Sequence, residues 1–160
     1  MNILVLGIGQ SLRGDDAAGL EAVRLWRETH PQTARRVRVE TAELPGLALL
    51  DLLMGADAAI LVDAVQAAAP AGTVIRVGPD ELAAFTPDAQ SAHGWGVAET
   101  LQLGRALDPA LAHVRVTLLG IVGKDFGMGA ALSPEVQQAL AEAAERIEAE
   151  VQELLAGERG

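Results

Sequence analysis

Apolar residues in this chain come in two patterns. Residues 2–7 (NILVLG), 58–63 (AAILVD) and 114–122 (VRVTLLGIV) are almost unbroken apolar runs. Such runs read as parallel strands buried on both faces. Residues 37–41 (VRVET) alternate, as a strand with one wetter face does, and 73–77 (TVIRV) follow a Pro-Gly turn region as a further short strand. Between these runs the apolar positions recur at helical spacing. Residues 15–30 carry Ala18, Val23, Leu25 and Trp26 up to the stop at Pro31, and 45–55 and 95–107 suit two more helices. Residues 80–85 suit a turn of helix. The clearest helix is C-terminal. Ser133 can cap it, Pro134 fits its first position, and Glu135 suits the positive end of its dipole. Val136, Leu140, Ala144, Ile147, Val151 and Leu154 then form one stripe.

Strands alternating with helices predict an α/β fold, with about five mostly parallel strands and helices on both faces. The link from residue 63 to residue 73 is too short for a helical crossover, so strand 73–77 is expected to run antiparallel. With 160 residues and no linker or repeat, one domain spanning 1–160 is expected.

Composition narrows the classes of function. Aromatics are only 2% and the net charge is −10. Base-stacking platforms are therefore scarce and phosphate backbones repelled, which argues against nucleic acid as a partner. There are no cysteines, so disulfides, thiolate metal sites and cysteine nucleophiles are excluded. The N-terminal run is too brief for a signal peptide, and no stretch approaches the roughly 20 apolar residues of a membrane span. A cytoplasmic, monomeric protein without a membrane is the expectation.

The chemistry concentrates after the first strand, in GIGQSLRGDDAAG, residues 7–19. A dinucleotide fingerprint requires a third glycine where Leu12 stands, and Asp15 and Asp16 would repel a pyrophosphate. No Gly-Lys-Ser/Thr follows, so it is not a P-loop either. One aspartate suits a helix cap, and Asp15 is assigned that role. Asp16 is left just beyond the first strand. Asp63 ends the third apolar run and is expected on the same sheet edge, where ligands bind in open α/β sheets. His93 lies in SAHGWG, before a helix, whereas His30 and His113 read as solvated residues at element ends. Two carboxylates and an imidazole make an oxygen/nitrogen ligand set suited to zinc, nickel or manganese.

At these residues the chain resembles the hydrogenase maturation proteases, which trim the large subunit of nickel–iron hydrogenases. The likeness runs from MNILVLGIGQSLRGDDAAG through AAILVDAV and SAHGWGVAETL to VTLLGIV and LSPEV. It implies a three-layer α/β/α sandwich. It also implies that Asp16, Asp63 and His93 act as metal-binding and catalytic residues, recognising nickel already seated in the large-subunit precursor. A C-terminal peptide would then be removed. Nickel would be supplied by the substrate protein, with zinc or another divalent ion an option in the free protein. The chain departs from the family at Gln10, where Asn is usual, at residues 40–46 (ETAELPG), and at Gly94-Trp95 after the histidine.

The peptide hydrolysis that the resemblance implies would be metal-dependent in this chain. There is no Gly-x-Ser-x-Gly elbow around Ser11, Ser91 or Ser133 and no His-Glu-x-x-His helix. A metal acting as Lewis acid or water activator remains. Asp15 and Glu43 are the acids to test as general base, and Trp95 reads as core or cleft wall. Two rivals stand beside this: a non-hydrolytic accessory factor that docks on a metal-loaded partner, and a small-molecule hydrolase, which would have a closed pocket.

Overall fold

A computed structural model of the chain describes residues 1–43, 46–83 and 96–158. Five strands form one sheet: β1 (Ile3–Ile8), β2 (Arg38–Ala42), β3 (Ala58–Val65), β4 (Val74–Val77) and β5 (Arg115–Val122). Their order is β2-β1-β3-β5-β4. Neighbours pair in parallel except β4, which runs antiparallel to β5 at the edge. The short link before β4 permits no other sense, as its length predicts.

Among the described residues six α-helices surround the sheet: α1 (Ala18–Thr29), α2 (Pro31–Ala34), α3 (Ala48–Leu53), α4 (Pro79–Ala83), α5 (Gly96–Leu107) and α6 (Pro134–Glu158). Alternation along each strand divides the apolar side chains between two cores. Ile3, Val5, Ile60 and Val62 pack with Trp26 of α1 and with Val136, Ala143 and Ile147 of α6. Leu4, Leu6, Leu61 and Leu118 pack on the other face with Leu49 and Leu53 of α3 and Ala98 and Leu101 of α5. The result is the expected α/β/α sandwich. With so few aromatics, aliphatic side chains fill both cores, and among the described residues Trp26 is the one large ring fully buried.

Several local expectations change. The helix expected over 15–30 is two elements, a 3₁₀ turn at Gly14–Ala17 followed by α1. Pro31 ends α1 and opens the single turn of α2. The helix expected over 45–55 is only six residues long, and β3 continues two residues past Asp63. His30 is not a solvated end residue. Its Nε2 lies 2.8 Å from Glu145 Oε1, while the Trp26 indole N–H donates to Glu148 at 2.8 Å, so both tie α1 to α6.

Order 2-1-3 places a topological switch point between β1 and β3, where the connections leave in opposite directions. Crevices for ligands form there, outside the carboxyl ends of the strands.

Candidate metal-recognition cleft

A cleft of about 630 Å³ opens to solvent at this switch point. Its floor is Ile8 and Gly9 at the end of β1 and Asp63 and Ala64 near the end of β3. Gln10, Arg13 and Asp16 form one wall; Leu49 of α3 and Val97 and Thr100 of α5 form another. Gln66 and Phe126 complete the described lining. An open cleft of this kind does not match the closed pocket expected of a small-molecule hydrolase.

Two glycines let the motif sit this close to the sheet. A Cβ on Gly9 (φ +155°) would fall 2.0 Å from the Asp16 carbonyl oxygen. One on Gly19 would fall 2.2 Å from the Val62 carbonyl oxygen and 2.6 Å from that of Ile8. The first turn of α1 therefore rests directly on the ends of β1 and β3, and Asp16 is held over the strand that carries Asp63. Gly19→Ala must lift the helix, and we expect it to cost about 3 kcal/mol. Urea unfolding checks this; a variant within 0.5 kcal/mol of the parent would contradict the close-packing argument.

Asp16 and Asp63 both line the cleft, as their placement on one sheet edge predicts. Asp16 is half-buried in the 3₁₀ turn, and its Oδ2 accepts the Gln10 N–H at 3.1 Å. Asp63 is buried and lies on the α3/α5 face of β3, two positions beyond Leu61. Its carboxyl is pushed up from 3.8 to about 7. Burial is the main cause and the charge of Asp16 adds to it, against a smaller opposing effect of the Ala64 N–H. A buried carboxyl whose ionisation a neighbouring carboxylate opposes makes a place where a cation is favoured. Among the described residues no three His, Asp or Glu side chains are grouped to hold a metal ion. His93, the third expected ligand, lies outside the described residues, as do Ser91 and Trp95.

Asp15 corrects the sequence reading. No side chain caps the 3₁₀ turn or α1. Asp15 is fully buried instead. Its carboxylate accepts N–H groups of Lys124 (2.9 Å), Asp125 (3.1 Å) and Ser133 (2.7 Å), and the Ser133 hydroxyl at 2.9 Å. Burial alone would raise its pKa, but these donors together hold it below the ordinary value. Asp15 thus clasps the loop between β5 and α6 to the motif, with no capacity left for proton transfer. Ser133 sits at the start of α6, its carbonyl accepting the Gln137 N–H, while its hydroxyl serves Asp15.

Glu43, the other acid to test as a base, is committed as well. It accepts the Ser11 N–H at 2.8 Å. Hydrogen bonds from the Ser11 hydroxyl and backbone lower its pKa, which makes it a weaker base. Sequence reasoning did not single out Arg13, Gln66, Thr100 or Phe126 as cleft residues. Gln66 and Phe126 follow the ends of β3 and β5, a positional signal that points to the same edge.

Known proteins give the same answer. A family model described as hydrogenase maturation protease matches residues 27–150. That span takes in residues 58–65, 91–101 and 116–136, which carry the later parts of the resemblance, and leaves out the 7–19 motif. The hydrogenase expression/formation protein HupD of Thiocapsa roseopersicina is 31% identical over 145 residues, covering 89% of this chain and 64% of the relative. The chain therefore spans just under two thirds of that relative's length. The NiFe hydrogenase maturation protease HybD of Thermococcus kodakarensis superposes with a TM-score of 0.75 at 28% identity, over 94% of this chain and 99% of that one. The hydrogenase maturating endopeptidase HybD of Escherichia coli gives 0.76 at 26% identity, over 96% and 93%. A paired-acid cleft at the switch point, the sandwich around it and the match over residues 27–150 lead to one assignment: the chain belongs to the hydrogenase maturation proteases.

Proposed function

We propose that this protein is an endopeptidase that removes a C-terminal peptide from a nickel-loaded hydrogenase large-subunit precursor. The reading is carried by the paired carboxylates of Asp16 and Asp63 in an open cleft. Burial and the neighbouring Asp16 charge make ionised Asp63 costly, which favours a cation beside the pair. Nickel arriving inside the precursor supplies one, so the protein binds the mature metal site rather than a generic peptide.

In this reading Asp16, Asp63 and His93 are the residues that hold the ion and orient the bond to be cut. His93 precedes by three positions the helix whose Val97 and Thr100 line the cleft. The precursor's nickel would polarise the scissile carbonyl or activate a water. Asp15 and Glu43 are committed to other hydrogen bonds, which leaves Asp16 and Asp63 as the described acids facing the cleft.

The surroundings suit a protein substrate. Leu12, Leu47 and Met128 are 71%, 65% and 72% exposed. Leu12 and Leu47 belong to the segments that line the cleft, and the Gly129 N–H binds the Leu12 carbonyl oxygen at 2.8 Å, bringing Met128 alongside. Exposed apolar side chains beside a polar cleft mark protein contact surfaces.

Mass spectrometry of the nickel-loaded precursor after incubation tests the proposal. A shortened large subunit supports an endopeptidase. A precursor that binds tightly yet stays intact would favour the non-hydrolytic docking factor.

A further inference from the structure

Arg13 is a cation on the cleft wall of a chain with net charge −10, and its position has a use beyond the metal site. Its loop is held at every residue. The Gln10 N–H binds Asp16, the Ser11 N–H binds Glu43, the Leu12 carbonyl binds Gly129, and the Arg13 carbonyl accepts the Asp16 N–H at 3.0 Å. The guanidinium nevertheless makes no ion pair with any described carboxylate, although Asp16 and Asp63 line the same cleft. The described cleft is therefore bipolar, with carboxylates on its floor (Asp63) and wall (Asp16) and the Arg13 guanidinium on that same wall outside any ion pair with them.

A ligand that fills both parts must carry a cation at one point and an oxygen acceptor a short way along. A guanidinium fork matches a carboxylate in two parallel hydrogen bonds, better than it matches a single neutral carbonyl. Resting on the functional reading above, we infer that Arg13 is a specificity residue that grips a carboxylate of the precursor segment lying in the cleft, while the acid pair meets that segment's metal. That carboxylate belongs either to the part of the precursor that is kept or to the peptide that is released.

Initial rates at varied concentrations of nickel-loaded precursor test this with the wild type, Arg13→Gln and Arg13→Lys. Arg13→Gln is expected to raise KM about tenfold or more, the loss of one charge-assisted contact, with kcat within threefold. Arg13→Lys should fall between the two. Precursors with acidic side chains neutralised either before or after the cut then identify the source. One of them should raise KM for the wild type while leaving Arg13→Gln unaffected, because both changes remove the same contact.

A KM for Arg13→Gln within twofold of wild type would overturn the inference, as would a loss confined to kcat or additive effects with every neutralised precursor. Cleavage by the wild type secures the functional reading first, so those outcomes count against Arg13 alone. A wild type that leaves the loaded precursor whole overturns both.

Discussion

Asp63→Asn is expected to lose precursor processing by about 10²-fold or more while becoming a more stable protein at neutral pH. The two effects have one cause. In the metal-free fold, burial and the neighbouring Asp16 charge push the Asp63 carboxyl up to about 7 from 3.8. Between those values the folded chain keeps a proton that the unfolded chain has released. Stability therefore falls as pH rises from about 4 to about 7 and levels off above. Asparagine cannot ionise, so the variant should show no such fall. At pH 8 it should exceed the parent by up to about 4 kcal/mol, and near pH 4 the two should be similar. Denaturant unfolding at both pH values, with a processing assay on the same preparations, checks the pair. An active variant would remove Asp63 from the site. An inactive variant with the parent's pH profile would mean that loss of the side chain, not of its strained charge, is what matters.

Asp15→Ala should have the largest effect on stability. The substitution leaves three backbone N–H groups and the Ser133 hydroxyl facing a buried void where a carboxylate had accepted all four. Stranded buried donors cost about 1–3 kcal/mol each when none can relax towards water. With partial relaxation the total is expected at about 3–5 kcal/mol, lowering Tm by about 10–15 °C for a domain of this size. The carboxylate's lowered pKa also sets a pH window. Its contribution is complete above the unfolded value of an aspartate and is lost as pH falls through the lower folded value. Part of the acid destabilisation of the parent should accordingly be absent from Asp15→Ala. A cap confined to its own turn would cost only about 1 kcal/mol, so calorimetry distinguishes a cap from a clasp.

The two adjacent aspartates illustrate what can be read from sequence. The runs NILVLG and AAILVD announce buried parallel strands because both faces must be apolar. From there the placement of Asp16 and Asp63 on one edge follows by topology. The antiparallel sense of β4 follows from the length of the link before it. The role of Asp15 does not follow, because its partners lie 109 to 118 residues away and nothing local marks them. His30 is similar: its ring is tied to Glu145, 115 residues along, and a residue at a helix end gives no local sign of that. Arg13 lies inside the 7–19 motif, but its place as a cation beside two acids emerges only when the described cleft walls are assembled.

In the proposed function the acid pair reads a metal delivered by the substrate. Cleavage rates of one large-subunit precursor, prepared with and without nickel, test it most directly. The account predicts rapid shortening of the loaded precursor and at least about a hundredfold slower shortening of the metal-free one, with Asp16→Ala inactive on both. Equal rates on the two precursors would contradict it.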